Sequence, residues 1–310
     1  MHQTRPITVA VVLAALLVAF AAAAQSPPLG VNGRVVTLSA EAALLVDPDG
    51  RTLYAKNAED ERAPASLVKL MTLYLAYEDL ERGKVDREAL VEISHDAALT
   101  PKYRMGLRAG ESVPVRVLME GVAIASANDA ATALAERLAG DEARFVERMN
   151  AKARELDLAG TRFTNAHGLP DPSQRSNARD LVRLTARLLT DYPESRTMLG
   201  GQTFVYNGRV YTRHIPLFND PGGVQALKTG FTNEAGYNLA VSAWRNGQQF
   251  LMIVLGARTR QASYLDAKKL LLHGFVELGL EAPAPEPSRA TPTKGKPQRL
   301  RPRRATALTN

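Results

Sequence analysis

The chain contains no cysteine among its 310 residues. This absence excludes disulfide scaffolds, cysteine-ligated zinc, iron–sulfur clusters and thiol nucleophiles, so a nucleophilic side chain must supply oxygen or nitrogen. Histidine is also scarce, and the five histidines show no metal-binding spacing such as H-E-x-x-H. A G-x-S-x-G motif is missing as well, which argues against an α/β-hydrolase with a Ser-His-Asp triad. We therefore expect an activity that needs neither a metal nor another cofactor.

Acidic residues are nearly missing from the last thirty positions. The segment 281–310 has seven Lys or Arg, two Glu and six Pro, and it accounts for +5 of the net charge of +7. Residues 25–280 carry only +1, so the basic composition does not indicate a nucleic-acid-binding domain. We predict a disordered Pro-rich basic tail over 281–310. This tail is either a solvated extension or a polycation that docks on an anionic membrane or wall polymer.

The first 24 residues carry one charge, Arg5, ahead of an uncharged run from Ile7 to Ala24. Small residues end this run, as they do at a signal-peptide cleavage site. We predict a signal peptide over 1–24, with an uncleaved N-terminal anchor as the alternative. Either segment would place residues 25–280 in the periplasm or at the outer face of the cytoplasmic membrane, away from nucleic acid.

Strand patterns lie near both ends of residues 25–280, and helical patterns lie between them. The strand patterns cover Arg34–Leu38, Ala42–Val46, Thr52–Tyr54, Phe204–Tyr206, Val210–Tyr211, Tyr237–Trp244 and Gln249–Leu255. Helical spacing begins at Pro64, dominates Pro114–Tyr192 and returns over Ala262–Leu278. We predict one α+β catalytic domain over 25–280, with an antiparallel sheet of about five strands flanked by helices and a helical lobe.

A serine and a lysine lie three residues apart in the helical pattern that follows Pro64. Residues at this spacing share a helix face, so the Ser66 hydroxyl and the Lys69 amine would lie within reach of each other. A lysine that is buried, or that lies beside another cation, loses its proton more easily and can act as the base for a serine nucleophile. The same spacing arises by chance in a chain of this length, so the pair alone does not establish catalysis.

Two further motifs have both a structural and a functional interpretation. The segment Ser126–Asn128 lies between two helical patterns, where its first or last residue could cap the following helix. The segment Lys228–Gly230 follows the strand pattern Val224–Leu227, where the glycine could simply end the strand. Together with the preceding serine–lysine pair, however, they match the motif set of penicillin-interacting serine enzymes.

Five segments spread over residues 30–280 carry a family resemblance. These segments are Ala65–Thr72, Ser126–Ala130, Phe163–Pro170, Leu227–Gly230 and Ala235–Leu239. They resemble the D-alanyl-D-alanine carboxypeptidases, the low-molecular-mass penicillin-binding proteins of serine peptidase family S11. The resemblance implies a penicillin-binding-protein/β-lactamase-like transpeptidase fold. It also implies a serine peptidase that removes the terminal D-Ala from peptidoglycan stem peptides and that β-lactams acylate.

The resemblance assigns a catalytic role to each motif residue. Ser66 looks like the nucleophile that forms the acyl-enzyme, and Lys69 like the base that takes its proton. Asn128 would hold Lys69 and a substrate amide, and Ser126 would pass a proton to the leaving amine. Lys228 would disfavour protonation of Lys69 and would orient Ser126.

Substrate contacts are implied in the same way. Thr229 and Gly230 would bind the substrate, Thr229 at the substrate carboxylate. The backbone N–H groups of Ser66 and Phe231 match the positions of the family's oxyanion hole. Arg213 lies where many members have a substrate-site arginine, although a solvated hairpin charge is the alternative.

The sequence also departs from the family pattern. Many members have an arginine where Ser263 stands, so one carboxylate contact would be missing or would come from Arg258 or Arg260. Fuller members continue into a β-rich domain and an amphipathic membrane helix, in place of which this sequence has the basic tail. Within the Phe163–Pro170 segment, we expect His167 to be a turn histidine bonded to local backbone.

Three alternatives to a carboxypeptidase stay open at this point. A D,D-endopeptidase that cuts crosslinked peptidoglycan would use the same site. A β-lactamase is disfavoured, because no glutamate after Asn128 is placed to activate a deacylating water. A β-lactam-sensing or cell-wall-binding protein would be acylated without turnover, and the complete Ser, Lys, Asn and Lys set argues against it.

Overall fold

The computed structural model of the chain describes residues 30–31, 34–35, 37–219 and 222–280. The signal peptide predicted over 1–24 and the tail predicted over 281–310 lie outside the described residues, so both stay predictions. Within the described ranges, no helix is both long enough and apolar enough to cross a membrane.

The strands build one large sheet and three small ones. In chain order they are β1 (Gly30–Val31), β2 (Arg34–Val35), β3 (Ala42–Val46), β4 (Thr52–Lys56), β5 (Leu90–Glu92), β6 (Ser112–Pro114), β7 (Thr203–Tyr206), β8 (Arg209–Thr212), β9 (Val224–Thr232), β10 (Gly236–Arg245) and β11 (Gln248–Ala257). Five of them form the main antiparallel sheet in the order β4-β3-β11-β10-β9. Early and late parts of the chain thus complete one sheet, and the predicted α+β class is confirmed.

One strand prediction is wrong. The pattern over Arg34–Leu38 yields a strand only at β2, which pairs with β1 away from the main sheet. Thr37 and Leu38 have no strand conformation. Their carbonyl oxygens accept hydrogen bonds from lysine side chains instead, from Lys269 Nζ at 2.9 Å and from Lys56 Nζ at 3.4 Å. Side chains therefore satisfy backbone groups for which the pattern predicted a neighbouring strand.

The helices lie mostly between the two parts of the sheet. They are α1 (Lys69–Glu81), α2 (His95–Leu99), α3 (Val115–Glu120), α4 (Asn128–Ala139), α5 (Glu142–Glu155), α6 (Ala178–Asp191), α7 (Ser195–Gly200) and α8 (Arg260–Glu277). Short 3₁₀ turns cover Ala65–Val68 and Pro216–Asn219, and a π-helical turn covers Gly121–Ala125. The helical pattern after Pro64 is therefore confirmed, with its first turn wound as a 3₁₀ helix. The predicted helical lobe corresponds to α3–α6.

The main sheet is buried on both faces, because the helical lobe covers one face and α8 covers the other. From β3, Leu44 packs into the core shared with the lobe, whereas Leu45 packs into the core shared with α8. Ile253 and Val254 of β11 divide in the same way. All five residues of β3 are buried, which explains a continuous apolar run in place of the usual alternation.

The motif segments meet where the sheet adjoins the helical lobe. The 3₁₀ turn Ala65–Val68 contacts β9, and it leads directly into α1. The π-helical turn Gly121–Ala125 contacts α1 and is followed by Ser126, whose φ of 55° is left-handed. This backbone reversal separates the π-helical turn from α4 and turns the serine away from the helix axis.

Candidate active site

Ser66 and Lys69 lie on one face of a single helical segment. Ser66 is the second residue of the 3₁₀ turn, and Lys69 is the first residue of α1. Their side chains approach each other, with 3.2 Å between Lys69 Nζ and Ser66 Oγ. The spacing of three residues therefore brings the two groups together, as the helical pattern predicted.

The Lys69 amine is fully buried, and three acceptors surround it. Its Nζ donates hydrogen bonds to Asn128 Oδ1 at 2.7 Å, to Ser66 Oγ at 3.2 Å and to the His167 carbonyl oxygen. In the neutral form the amine has only two N–H donors, so its lone pair can accept from the Ser66 hydroxyl while Asn128 and His167 keep their bonds. Burial lowers the pKa of Lys69 to about 7, although the Asp129 carboxylate acts in the opposite direction. A substantial fraction of this amine is neutral near pH 7.

Asn128 joins Lys69 to a distant loop. While Oδ1 accepts from Lys69, Nδ2 donates to the carbonyl oxygens of Pro101 at 3.0 Å and Lys102 at 3.3 Å. The Asn128 backbone N–H also donates to the Tyr103 carbonyl oxygen at 2.7 Å. The capping interpretation of this motif is wrong, because α4 has Ala127 as its N-cap and no side-chain capping bond. The asparagine side chain therefore binds Lys69 and the Pro101–Lys102 loop and does not cap its own helix.

Ser126 and Lys228 form a second pair. Lys228 Nζ donates to Ser126 Oγ at 2.7 Å and to the Thr229 carbonyl oxygen at 3.0 Å. The lysine lies inside β9, opposite Ala240, and its side chain is buried. The interpretation of Lys228–Gly230 as a strand end is wrong, since β9 continues to Thr232. Burial lowers the pKa of Lys228 well below its ordinary value, and the charges of Lys69 and Arg213 lower it further.

Two glycines let the surrounding backbone approach the Ser66 turn. A Cβ at Gly230 would lie 3.1 Å from the Ser66 backbone nitrogen and 3.2 Å from the Pro64 carbonyl oxygen. Gly168 has a φ of +88°, and a Cβ there would lie 2.1 Å from the Ala65 carbonyl oxygen. The strand and the Gly168 loop thus enclose the serine from two sides; a side chain does not fit at Gly168, and one at Gly230 would make tight contacts with the Ser66 turn.

Two cavities meet at Ser66. The larger, about 460 Å³, is lined by Ser126, Thr229 and Arg213 together with apolar and aromatic side chains, and no Asp or Glu of the described part of the chain lines it. The smaller, about 240 Å³, is lined by Asn128 and by the loops around Lys102, Gly168 and Glu234. Ser66, Tyr103 and Phe231 line both cavities. The positions predicted for an oxyanion hole therefore lie at the boundary between the two spaces.

Arg213 lines the larger cavity, but most of its hydrogen-bonding capacity is already used. Its guanidinium donates to four backbone carbonyl oxygens, those of Gly201 (2.7 Å), Leu227 (2.9 Å), Ala123 (3.3 Å) and Leu199. Burial lowers the pKa of Arg213 to about 10. The alternative of a solvated hairpin charge is wrong, because this arginine ties the π-helical turn, α7 and β9 together at the cavity wall.

The position where relatives were expected to carry an arginine holds a helical serine. Ser263 is buried, and its Oγ donates to the Arg260 carbonyl oxygen at 2.7 Å within the first turn of α8. Of the two arginines considered as replacements, Arg260 lines the larger cavity. Arg258 lines a different cavity, beside Glu41.

His167 contributes its backbone to the site. Its ring Nδ1 accepts from the Leu169 N–H at 3.1 Å, so the predicted local bond is confirmed. Burial, together with the Lys69 charge, lowers the pKa of His167 to about 3, so the ring is neutral at ordinary pH. The sequence-based analysis missed the carbonyl of this residue as a partner of Lys69. Asn165, whose Oδ1 accepts from the Gly168 N–H at 2.7 Å, holds the turn and was the available signal.

Comparisons with known proteins agree with this arrangement. The family model for D-alanyl-D-alanine carboxypeptidase, peptidase family S11, matches residues 23–259. The chain belongs to this family. It is 36% identical over 272 residues to the D-alanyl-D-alanine carboxypeptidase DacA of Escherichia coli K12, covering 84% of this chain and 68% of that protein. It is also 28% identical over 297 residues to a D-alanyl-D-alanine endopeptidase of Pseudomonas aeruginosa, covering 93% of each.

Solved structures of penicillin-binding proteins share the fold. Penicillin-binding protein 5 from Haemophilus influenzae is 34% identical, with a TM-score of 0.76 over 80% of this chain and 73% of that one. Penicillin-binding protein D2 from Listeria monocytogenes, in its ampicillin-bound form, is 31% identical, with a TM-score of 0.68 over 77% of this chain and 98% of that one. The predicted fold class and the serine peptidase assignment are confirmed at the level of the family.

Proposed function

We propose that the chain removes the terminal D-Ala from peptidoglycan stem peptides through an acyl-enzyme on Ser66. The observation that carries this proposal is the pairing of Ser66 with Lys69 on one side of the site and of Ser126 with Lys228 on the other. Each serine thus has its own lysine. Family membership supplies the substrate class, and the geometry supports separate roles for the two pairs, Ser66–Lys69 in acylation and Ser126–Lys228 in protonation of the leaving amine.

Acylation needs a base at the nucleophile. Neutral Lys69 takes the proton from Ser66 Oγ while the oxygen forms a bond to the carbonyl carbon of the penultimate D-Ala. The negative charge that develops on the carbonyl oxygen would be stabilised by the N–H groups of Ser66 and Phe231. Asn128, which already holds Lys69 at 2.7 Å, keeps the amine in position for this transfer.

Departure of the terminal D-Ala needs an acid at the amine. Ser126 Oγ would give its proton to the leaving nitrogen as the C–N bond breaks, and Lys228 would return a proton to the serine through their 2.7 Å hydrogen bond. After the D-Ala leaves, Lys69 has one proton more and Lys228 one fewer than at the start, so a proton passes from Lys69 to Lys228 before the ester is hydrolysed. A water molecule then attacks the ester, and neutral Lys69 takes a proton from this water and gives it to Ser66 Oγ as the ester C–O bond breaks.

Simultaneous protonation of the two lysines is unfavourable, so one of them can hold a proton while the other is neutral. Burial lowers the pKa of both amines, and the charge of Lys69 lowers the pKa of Lys228 further. Repulsion between two ammonium groups is mutual, so Lys228 also disfavours protonation of Lys69, and the two amines titrate as a coupled pair.

The larger cavity suits the leaving D-Ala and its carboxylate. Thr229 and Gly230 line this cavity, as do the cationic side chains Arg213 and Arg260, and none of the described residues that line it is acidic. An anionic group entering it meets the positive charge of these two arginines. We assign this space to the terminal residue of the stem peptide, and β-lactams would acylate Ser66 from the same space.

The proposed reaction places the enzyme outside the cytoplasm, where its substrate lies. The apolar segment over 1–24 supports this location, as a signal peptide or as an anchor. The basic tail over 281–310 is proposed to hold the domain against an anionic membrane or wall surface.

A D,D-endopeptidase is the second candidate function. The similarity to a D-alanyl-D-alanine endopeptidase extends over 93% of both chains, whereas the chain spans 68% of DacA. The same Ser66 chemistry would cut a crosslink if the larger cavity, which opens beside Ser66, admitted the acceptor peptide, whose side-chain amine would then be the leaving group.

One assay separates these functions. Purified enzyme is incubated with diacetyl-L-Lys-D-Ala-D-Ala and, separately, with a crosslinked dimeric muropeptide, and free D-Ala and monomer are counted. Release of D-Ala alone supports the carboxypeptidase, and release of monomer supports the endopeptidase. Acylation by a fluorescent penicillin with neither product would identify a binding protein without turnover and would refute both.

The nucleophile is tested by substitution. Ser66→Ala should abolish covalent labelling by the fluorescent penicillin while circular dichroism stays unchanged, because only the acylated oxygen is removed. Ser112→Ala, at an exposed position on β6, is the matched control and should label normally. Labelling that persists in Ser66→Ala would refute the assignment.

A further inference from the structure

The smaller cavity carries one cation and one anion at its rim. Lys102 and Glu234 both line this space of about 240 Å³, and both side chains are exposed. Among the described residues, no ion pair joins them to each other or to another side chain. Two opposite charges beside one small cavity, each without a fixed partner, form a pattern that matches a zwitterionic ligand group.

The direction of the substrate through the site follows from the two serine–lysine pairs, and this step rests on the proposed function. Ser126, the proposed donor to the leaving amine, lines the larger cavity and not the smaller one. The residue that leaves therefore occupies the larger cavity. The acyl part of the peptide, which becomes attached to Ser66, must extend the other way, through the smaller cavity past Asn128.

Lys102 lies on a backbone that is held in an unusual conformation. Lys102 and Tyr103 have φ values of 55° and 34°, two successive left-handed residues. Asn128 stabilises this conformation by donating to the Lys102 carbonyl oxygen at 3.3 Å and to that of Pro101 at 3.0 Å. A conformation of this kind is unfavourable for residues with a side chain and persists where the surroundings hold it, often at ligand sites.

Glu234 also projects from a restrained segment. It lies in the tight turn between β9 and β10, where the Ala235 N–H donates to Thr232 Oγ1 at 3.0 Å. Gly236 closes this turn with a φ of +66°. Because both charged side chains start from fixed backbone, they lose less freedom on binding a ligand than side chains on a mobile loop would lose.

We propose that Lys102 and Glu234 select stem peptides whose third residue ends in both a free ammonium and a free carboxylate. Such a residue precedes the two D-Ala residues, so its side chain reaches the smaller cavity when the acyl part lies there. The ammonium would bind the Glu234 carboxylate, and the carboxylate would bind the Lys102 ammonium. A plain lysine offers only the first contact, and a lysine with a blocked amine offers neither.

The test compares three N-acetylated tripeptides that end in D-Ala-D-Ala. Their first residue is meso-diaminopimelic acid with a free distal end, L-Lys, or Nε-acetyl-L-Lys, and kcat/KM is measured from released D-Ala. We expect kcat/KM to fall in this order, by about 1.5-fold to fivefold per lost contact at low salt, the range of exposed ion pairs. The selectivity should shrink at 0.5 M NaCl, because salt screens exposed charges.

Two variants assign the contacts. In Glu234→Gln, the L-Lys and the Nε-acetyl-L-Lys peptides should have nearly equal kcat/KM values. In Lys102→Met, the diaminopimelic and the L-Lys peptides should have nearly equal kcat/KM values. Glu147→Gln, which removes an exposed carboxylate on α5, is the charge control and should leave both ratios as in the unmodified enzyme.

The outcomes separate this proposal from the function on which it rests. Equal kcat/KM values for all three peptides, or ratios that neither variant changes, would overturn the proposal while leaving the carboxypeptidase in place. Failure to release D-Ala from any peptide, combined with absent penicillin labelling, would instead refute the proposed function. The rate of penicillin acylation monitors the fold of both variants, since penicillin lacks the third residue.

Discussion

Lys228 Nζ lies 2.7 Å from Ser126 Oγ, although the two residues are 102 positions apart in the chain. Ser126 adopts a left-handed conformation directly after the π-helical turn, and Lys228 lies in the middle of β9. The hydrogen bond therefore joins the helical lobe to the sheet at the cavity. A group placed at such a junction can move a proton between a buried lysine and a substrate only while both elements stay together.

Lys228→Ala should lower kcat far more than it raises KM. The substitution removes the proposed proton source for Ser126 and a positive charge beside the leaving group, and both act in the transition state. We expect a loss in kcat of about 10²-fold to 10⁴-fold, the range of general acid–base catalysis. Steady-state kinetics on diacetyl-L-Lys-D-Ala-D-Ala provide the measurement.

An exposed lysine serves as the control for this variant. Lys84→Ala removes a side chain that is 59% exposed and 3.8 Å from Asp79, so kcat should stay close to that of the unmodified enzyme. A Lys228→Ala enzyme with near-normal kcat would show that this lysine has no part in the proton transfer.

Acylation of Ser66 should become faster as pH rises through about 7. Lys69 accepts a proton only in its neutral form, and burial lowers its pKa to about 7. Below this value, the acylation rate constant should fall about tenfold per pH unit, and above it the constant should level off. The measurement is the second-order rate constant for a fluorescent penicillin between pH 5 and 9, corrected for spontaneous hydrolysis. A rise centred near pH 10 would mean that the pKa of Lys69 is not lowered.

Local sequence patterns predicted those parts of the site in which both partners lie close together in the chain. Ser66 and Lys69 share a helix face because their spacing is three, and the structure places them 3.2 Å apart. In the fold, the turn at Asn246–Gly247 between β10 and β11 is likewise determined locally, because both of its φ values are positive, as a two-residue Asn-Gly hairpin turn requires. In such cases the backbone between the partners determines the geometry.

Contacts made by backbone atoms over long separations were not predictable in this way. Lys69 bonds to the His167 carbonyl across 98 residues, and a carbonyl group is the same for every residue type. The contacts of Arg213 were also not predictable. The family resemblance implied that this arginine binds substrate, whereas in the structure its guanidinium donates to four backbone carbonyl oxygens. The arginine at position 213 indicated a place in the site, but its hydrogen-bond partners depend on how the helical lobe packs against the sheet.

Gly168→Ala should destabilise the fold and slow acylation together. A methyl group there would lie 2.1 Å from the Ala65 carbonyl oxygen and 2.9 Å from the Ser66 nitrogen, and the φ of +88° is unfavourable for alanine. We expect the free energy of unfolding to fall by about 2–4 kcal/mol, as for other overpacking changes with backbone strain. Urea unfolding and penicillin acylation are the two readouts.

Gly110→Ala isolates the backbone component of this effect. Its φ is +80°, and no heavy atom lies within 4 Å of the added Cβ. The cost should therefore be only about 1–2 kcal/mol, from the left-handed conformation alone, and acylation should be unchanged. Equal effects of the two substitutions would show that contact between Gly168 and the Ser66 turn is unimportant.

Removal of residues 281–310 should leave hydrolysis of a small soluble peptide unchanged and weaken surface binding. Seven Lys or Arg in this segment would attract an anionic surface, and the attraction should decline as salt screens it. Co-sedimentation of residues 25–310 and of residues 25–280 with anionic liposomes and with wall sacculi, at 20 and 300 mM NaCl, provides the measurement. Equal co-sedimentation at low salt would identify the tail as an extension without a binding role.

Arg260 should contribute to recognition of the substrate's terminal carboxylate. It lines the larger cavity and is exposed, whereas Arg213 in the same cavity is held by four carbonyl oxygens. An Arg213 substitution would disturb these structural contacts, so its effect on activity would not reveal a carboxylate contact. Arg260→Ala avoids this difficulty, because no side-chain hydrogen bond or ion pair of Arg260 is present among the described residues.

The comparison that isolates the carboxylate uses two substrates, diacetyl-L-Lys-D-Ala-D-Ala and its C-terminal amide. Arg260→Ala should lower kcat/KM for the free acid by about tenfold to 150-fold, as expected for a charge-assisted hydrogen bond, and should lower it much less for the amide. Arg258→Ala removes an equally exposed arginine that lines a different cavity, so the ratio of the two substrates should stay unchanged. If Arg258→Ala reduces the ratio and Arg260→Ala does not, the carboxylate contact belongs to Arg258.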